Sequence, residues 1–517
     1  MGEEMKIGKI AVLIMGIALL CKVFGFLREL MLARFFGTSG IVDIYLMSIT
    51  IPSILFGALP SLGIGVTPVY FEIEDNKKKN DFLNSVLLTT IIFSCLCVMI
   101  TYFFSEKIVG ITAAGFTDNA KEQTISFLKI TVWSVVFNTP IQIIVSYLNC
   151  KGKYIQSNLA NLTVSIIQML FIIMAANINI NLLAFGFLLP FVFQFIWGGL
   201  VACHIGFKPQ LRISYDRYLK KLLVLSIPIG ISNILVDING FVDKILSSFL
   251  PSGRMAALNY AFTLRAVIVT TISTVITTIF YPRISQLAAA NKTCLLRKEI
   301  VGIIDGLVVF IVPLNFLAVI FSNEIVEIIL MRGSFDRESV LLTKAPFIMY
   351  MLSLSFILIR DLVTKVLYAK GDTKINLYLG TITIGLNIII SLIIVHSMEH
   401  VGLALATSIS AIITFPLYIL KIKKVVAGME LKSSLIKAGK VLFASGCMGF
   451  AAFGMNYILS YMNNEFLGSF KFVKALEIVV ISLLAFIIYV ILLYFLKVEE
   501  IRAIVKRVKD YVIKRLV

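Results

Sequence analysis

Charge is scarce in this 517-residue chain. Only 15% of its residues are Asp, Glu, Lys or Arg, against 59% hydrophobic, and its mean hydropathy is +0.96. A soluble domain runs nearer about 45–50% apolar. No stretch is polar enough to form one, so a soluble globular enzyme and a disordered tail protein are both excluded. Histidine is nearly missing. His204, His396 and His400 are too few and too scattered for a metal site. The seven cysteines, Cys21, Cys95, Cys97, Cys150, Cys203, Cys294 and Cys447, show neither a metal-ligand spacing nor a disulfide framework. No transition metal is therefore expected. No phosphate-cradling loop of the form Gly-x4-Gly-Lys-Ser/Thr occurs, and no loop is long enough for a catalytic domain. The sequence predicts a transporter without ATPase motifs and without a cofactor, not an enzyme.

What the chain has is apolar runs, each near the roughly 20 residues that cross a bilayer. Fourteen are expected, at about 7–32, 40–70, 82–104, 122–149, 155–176, 181–205, 217–248, 254–288, 296–321, 340–369, 374–395, 401–421, 435–460 and 473–496. The fold class is an all-α membrane protein. Gly25, Pro52, Pro140, Pro228 and Pro313 are the candidate bend points. The excess of 47 Lys and Arg over 29 Asp and Glu gives +18. In a membrane protein that excess reads as topology and contact with anionic lipid, not as nucleic-acid binding. With the N-terminus inside, the inner segments carry 30 basic residues and the outer ones 8. Both termini are therefore expected in the cytoplasm. Met1–Gly8 leads into a retained first span with no small-residue cleavage site. Residues 497–517 read as a basic amphipathic helix on the inner leaflet.

A repeat is visible. Leu148-Asn-Cys-Lys-Gly-Lys-Tyr154 resembles Leu367-Tyr-Ala-Lys-Gly-Asp-Thr373, with Lys151 and Lys370 219 residues apart. Pro68 and Pro282 differ by 214, and Phe26-Leu-Arg and Phe241-Val-Asp by 215. An even-numbered six-helix unit, duplicated, gives two lobes in the same orientation, a parallel repeat. The expected division is an N-lobe over 1–212, a C-lobe over 213–430, two extra spans over 431–496 and the terminal helix over 497–517.

Nine basic residues fall inside spans: Lys22, Arg28, Lys129, Lys244, Arg265, Arg283, Lys344, Arg360 and Lys365. A charge at the bilayer centre costs a few kcal/mol or more, so it faces protein or water. Lys129, Arg283 and Lys344 sit near span ends and can snorkel. The rest accompany Glu29, Asp237, Asp243 and Asp361, six cations against four acids. Buried ion pairs that fix helix packing would account for them. A wet, net-cationic cavity between two lobes accounts for them more directly, and guanidinium forks suit phosphate and pyrophosphate.

Several segments resemble the MurJ/MviN lipid II flippases. Lys22-Val-Phe-Gly-Phe-Leu-Arg-Glu-Leu-Met-Leu-Ala-Arg-Phe-Phe-Gly37, Asp43, Ile51-Pro52 and Pro68 are similar to that family's first two spans. Asp243-Lys-Ile-Leu-Ser-Ser-Phe-Leu, Gly253 and Leu258-Asn-Tyr-Ala261 are similar to spans 7 and 8. Arg332-Gly-Ser-Phe-Asp336, Tyr368-Ala and Gly371-Asp-Thr-Lys374 are similar to its signature around span 10. The resemblance runs in order from about residue 10 to 420.

The resemblance implies two lobes that carry an undecaprenyl-pyrophosphate-linked glycan across the bacterial cytoplasmic membrane by alternating access, for cell-wall synthesis. It implies Lys22, Arg28, Glu29 and Asp43 as cavity positions, joined by Arg265, Arg360 and Lys365 from the charge reading. It implies a sodium site drawn from Asp237 or Asp243 with Asn387, Ser391 and Thr407, so that sodium, protons or the membrane potential drives transport. Membrane lipids and the cell-wall synthesis machinery are the expected partners. Two departures bear on the substrate. Where the family often has an Arg pair and then Glu-Gly after Pro52, this chain reads Ser53-Ile-Leu-Phe-Gly-Ala-Leu-Pro-Ser-Leu-Gly63. Where the family has an Arg after Tyr260-Ala261, this chain has Thr263, with Arg265 two residues on. A precursor of teichoic acid or capsule is thus an alternative cargo. A multidrug exporter of the same superfamily would want an anionic or aromatic cavity. A membrane glycosyltransferase would want paired carboxylates, but the one acidic cluster, Glu72-Ile-Glu-Asp75, adjoins Lys77–Lys79 and reads as a solvated turn.

Overall fold

A computed structural model of the chain describes residues 2–502 apart from 212, 214–216, 373, 427 and 463–470. The basic helix expected over 497–517 lies outside the described residues beyond Arg502. Among the described residues every regular element is helical. They group into two compact units, Met1–Tyr260 with Arg332–Asp336, and Ala261–Met331 with Arg337–Val517.

The first unit holds α1 (Gly2–Phe36), α2 (Gly40–Phe56), α3 (Ser61–Glu72), α4 (Asn76–Phe103), α5 (Ser105–Thr112), α6 (Asp118–Thr131), α7 (Ser134–Cys150), α8 (Tyr154–Asn177), α9 (Leu182–His204) and α10 (Arg217–Ser247). It also takes the first two turns of α11 (Arg254–Val275). The second unit holds the rest of α11, a π-helical turn at Ile276–Phe280, α12 (Tyr281–Ala289), α13 (Thr293–Ile320), α14 (Ser322–Leu330), α15 (Arg337–Met351), α16 (Leu354–Ala369), α17 (Lys374–Val425), α18 (Lys432–Met462) and α19 (Lys471–Phe495). Among the described residues eleven helical stretches are long and apolar enough to cross a membrane, and the pair α15 and α16, bent by 46°, makes twelve. The 52-residue α17 is broken at Glu399, where φ is 49°. Counting it twice, and adding the 35-residue α1, gives the fourteen spans read from hydropathy.

The helix breaks lie away from the candidate bend points named above. α1 runs through Gly25, α10 through Pro228 and α13 through Pro313. The breaks lie instead at Gly57–Pro60, at Val132–Trp133, in the π-helical turn and at Leu352–Ser353. A proline removes one backbone donor, but neighbouring helices and side chains re-satisfy the freed groups, so the helix can continue. The π-helical turn has a direct local cause. Pro282 lacks the N–H that would reach the Thr278 carbonyl, and Thr278 lies in that turn.

Lipid gives little apolar drive for helices to pair, so close approach of small residues and interhelical hydrogen bonds carry the packing. In the first unit a Cβ at Gly63 would come within 2.7 Å of Gln142 O, and one at Gly65 within 2.8 Å of Leu222 Cδ1. These two glycines let α3 lie against α7 and α10. In the second unit α18 and α19 pack on α13 through Val312, Val441, Ala444, Met448, Ala485 and Tyr489. Tyr489 donates to Val309 O at 2.6 Å. Lys437 bridges Asp305 and Glu500, each at 2.5 Å, and Lys474 holds Glu327 at 2.7 Å. The repeated Lys-Gly turns share one geometry. Gly152 and Gly371 have φ of 71° and 81°. Lys153 N donates to Leu148 O at 2.8 Å, and Asp372 N to Leu367 O at 3.0 Å. The same helix-ending turn thus recurs 219 residues apart.

Candidate functional site

The first unit gathers its buried charge where α1, α2, α8, α10 and the start of α11 meet. Arg28 of α1 donates through Nη1 to Gln168 Oε1 of α8 at 2.8 Å, and through Nη2 to Glu29 Oε1 at 2.5 Å. The second carboxylate oxygen, Glu29 Oε2, accepts from Asn259 Nδ2 of α11 at 3.2 Å. Gln168 is buried, whereas the Arg28 side chain remains 32% exposed, so an incoming ligand can reach it. Lys244 of α10 donates to Thr50 Oγ1 of α2 at 2.5 Å. The Thr50 hydroxyl proton is already committed to Leu46 O at 2.6 Å. Glu29 and Asp237 are the carboxylates whose charge reaches Lys244. The four ionised groups, Arg28, Lys244, Glu29 and Asp237, balance at two positive and two negative. Lys22, on α1 before this cluster, is exposed.

Asp43 has a different place. It is 4% exposed, and its two oxygens accept from Gly253 N at 2.6 Å and Ala256 N at 2.8 Å. The carboxylate therefore satisfies amides at the N-terminus of α11, where a helix leaves donors unpaired and favours negative charge. Two loops join it there. Tyr260 donates to Gly37 O at 3.1 Å, and Ser334 N and Oγ donate to Arg34 O and Phe35 O at 2.8 and 2.9 Å. Phe335 packs edge-on against Tyr260 at 5.6 Å. Gly37, Gly253 and Gly333 all have positive φ, and a Cβ at any of them would strike a backbone oxygen of a neighbouring loop. This gives physical content to the Arg332–Asp336 signature, which belongs to the first unit.

In the second unit the Arg265 guanidinium lies over the Phe262 ring at 5.0 Å and the Tyr350 ring at 4.7 Å. It is 8% exposed, and its Nε and Nη1 have no hydrogen-bond partner among the described residues. Arg360 lies over Tyr418 at 5.9 Å and is the nearest cation whose charge reaches Arg265. Asp361 and Lys365 form no ion pair among the described residues. Asn387 Nδ2 donates to Thr407 Oγ1 at 3.1 Å, so the two halves of α17 bring these residues together. Asn387 Oδ1 and Ser391 Oγ are buried without a hydrogen-bond partner among the described residues. The three supply neutral oxygens, the donor type a hard cation takes, but no carboxylate. Among the described residues no group of three His, Cys, Asp or Glu could hold a metal. Asp237 and Asp243 belong to the first unit.

The charge reading named Arg28 and Glu29 and counted Lys244 among the six cations of the cavity. It missed Gln168, Asn259 and Thr50. Neutral amides and hydroxyls in a transmembrane run carry no sequence signal that separates a ligand-orienting role from ordinary helix pairing.

The fold recurs in solved structures. An inward-facing multidrug resistance MATE family transporter of the MOP superfamily superposes with a TM-score of 0.64 at 12% identity, covering 79% of this chain and 96% of that one. A lipid II flippase MurJ in an inward closed conformation gives a TM-score of 0.78 at 24% identity, covering 94% and 99%. The class is therefore a multi-pass helical membrane protein whose fold these structures share. Within it, the family described as "Lipid II flippase MurJ" matches residues 32–496, and the chain belongs to that family. Probable lipid II flippases of Rickettsia prowazekii and of Buchnera aphidicola subsp. Schizaphis graminum are each 26% identical, over 76% and 93% of this chain and 79% and 95% of theirs.

Proposed function

We propose that this protein carries a lipid-linked, pyrophosphate-bearing glycan of the lipid II kind from the inner to the outer face of the bacterial cytoplasmic membrane, by alternating access. The observation that carries the reading is Arg28. It is a guanidinium inside a membrane-spanning helix, held at two edges by Gln168 and Glu29 and still open to a ligand. An intramembrane cation is functional by default, and a guanidinium fork matches the geometry of phosphoryl oxygens. Gln168 fixes the plane of the fork. Glu29 keeps it neutralised while no anion is bound and gives way when one arrives. In the first unit Lys22 serves the approach to Arg28; within the second unit Arg265, stacked on aromatic rings with an unsatisfied edge, Arg360 and Lys365 supply positive charge of their own for the cargo. Asp43 acts on the site through α11. Alternating access uses the two lobes of the sequence repeat, 1–212 and 213–430, with both termini in the cytoplasm.

Asn387, Ser391 and Thr407 of the second unit would supply neutral oxygens to a sodium ion. A sodium or proton gradient, or the membrane potential, then drives the cycle. The uncharged segment Ser53–Gly63 supports a second cargo, a lipid precursor of teichoic acid or capsule. Depleting the protein and identifying the lipid-linked precursor that builds up inside decides between them. Accumulation of lipid II is expected, accumulation of another polyprenyl-linked glycan selects the second cargo, and accumulation of none refutes both.

A further inference from the structure

Lys244 is a cation without a counter-ion in contact. It forms no ion pair among the described residues, and its one hydrogen bond there goes to the neutral Thr50 hydroxyl. Half-burying an ammonium this way in a membrane protein is costly, because a neutral oxygen replaces little of its hydration. Two carboxylates are close enough to feel its charge, Glu29 on α1 and Asp237 on its own helix. Glu29 already has both oxygens occupied, one by Arg28 and one by Asn259.

The arrangement changes when Arg28 is given an anion. A phosphoryl group competes for the same Nη2 edge that holds Glu29 and places negative charge beside that carboxylate. With Arg28 drawn away, Glu29 would keep only the Asn259 amide, and an ionised carboxylate without a cation is the costly state. Lys244 has unused ammonium protons and a long flexible stem, and it gives up only a neutral hydroxyl in moving. We infer that Lys244 is the reserve counter-ion of Glu29: it leaves Thr50 for the Glu29 carboxylate when an anionic headgroup takes Arg28. This rests on the reading that the carrier accepts a phosphate-bearing lipid. It makes Lys244 a positioning residue, one that acts through Glu29 and draws α10 toward α1 when cargo is bound.

The test uses the full-length protein in proteoliposomes with lipid II as the probe, measuring the initial rate of movement against lipid II concentration. Lys244→Gln keeps a hydrogen bond to Thr50 and removes the charge. Its kcat/KM is expected to fall by roughly thirtyfold, as when one partner of a buried charge pair is truncated. Lys244→Arg should retain most of the rate. The decisive variant is Glu29→Gln with Lys244→Gln. With no carboxylate to neutralise, the missing ammonium no longer matters, and the double variant should recover most of what Lys244→Gln lost. A merely structural lysine would not be relieved by a change at Glu29. A Lys244→Gln protein that transports like wild type overturns the inference. So does a double variant no better than Lys244→Gln, or a well-folded Lys244→Arg that fails. If wild-type vesicles move no lipid II, the proposed function falls and this inference with it; a working wild type with any of the other failures removes the inference alone.

Discussion

Replacing Asp43 by alanine tests whether that carboxylate is a fixed part of the fold. Both oxygens are bonded, to Gly253 N and Ala256 N, and the residue is buried. An ordinary N-cap side chain contributes about 0.5–2 kcal/mol. Here the acceptor is charged and there are two bonds, each of about 1.5–3 kcal/mol. The alanine leaves two amides without an acceptor in a site closed by Tyr260 and Phe335, so a loss on the order of 3–5 kcal/mol is expected. Asp43→Asn should lose less, since its carbonyl oxygen still accepts one bond while its amide group faces the other N–H. Thermal unfolding in detergent gives the ranking wild type, asparagine, alanine. Hydrogen exchange gives the location: the amides of Gly253 and Ala256 should exchange faster in both variants, while those of α18 stay protected. An alanine variant that unfolds with wild type and leaves those two amides protected would refute the capping argument.

Arg28→Ala should express and fold near wild-type levels yet fail to complement depletion, with Arg28→Lys only partly active because a point charge lacks the fork; full activity of the alanine variant removes Arg28 from the site. Cysteines at Lys153 and Met398 should label from inside and outside respectively, and the reverse pattern overturns the orientation argued from basic residues. Gly253→Ala combines a left-handed φ of 88° with a collision against Thr38, so it should cost at least about 1–2 kcal/mol in thermal unfolding; an unchanged midpoint would show that the loops can part freely. The Lys421 ammonium, 2.8 Å away, holds the Asp372 carboxyl below its usual range. The pairing stabilises above the ordinary carboxylate range and is lost as the pH falls through the lowered value. Lys421→Met should therefore unfold earlier than wild type at pH 7, and the gap should narrow in acid; a gap that does not depend on pH would deny the pair that role.

Hydropathy reveals the spans because lipid forces every crossing backbone into helix. The orientation of single charges is less legible. Arg28 and Glu29 stand out as intramembrane ions, and the structure does bring them together. Asp43 has the same chemistry and sits in the same stretch of sequence, yet it turns to the amides of α11, some 210 residues on. Nothing local separates the two fates. Arg265 illustrates the same gap. Spacing alone offers an acid partner or a cavity, whereas the guanidinium lies against the Phe262–Tyr350 ring pair. The helices run unbroken through Pro52, Pro140, Pro228 and Pro313 because proline marks only a lost hydrogen bond, and neighbouring helices decide whether the helix breaks there.

The chain leaves its first unit at Tyr260 and returns for five residues, Arg332–Asp336, before leaving again. A linear cut anywhere between α9 and α10 would thus strand Lys244, Gly253, Ala256, Asn259 and the Ser334 strap on the wrong fragment. The sequence halves are not modular cassettes. Fragment complementation from a break at 212 should need both pieces to be made together in one membrane, and swapping one half for that of a distant relative would discard the loop that closes the other half's fold.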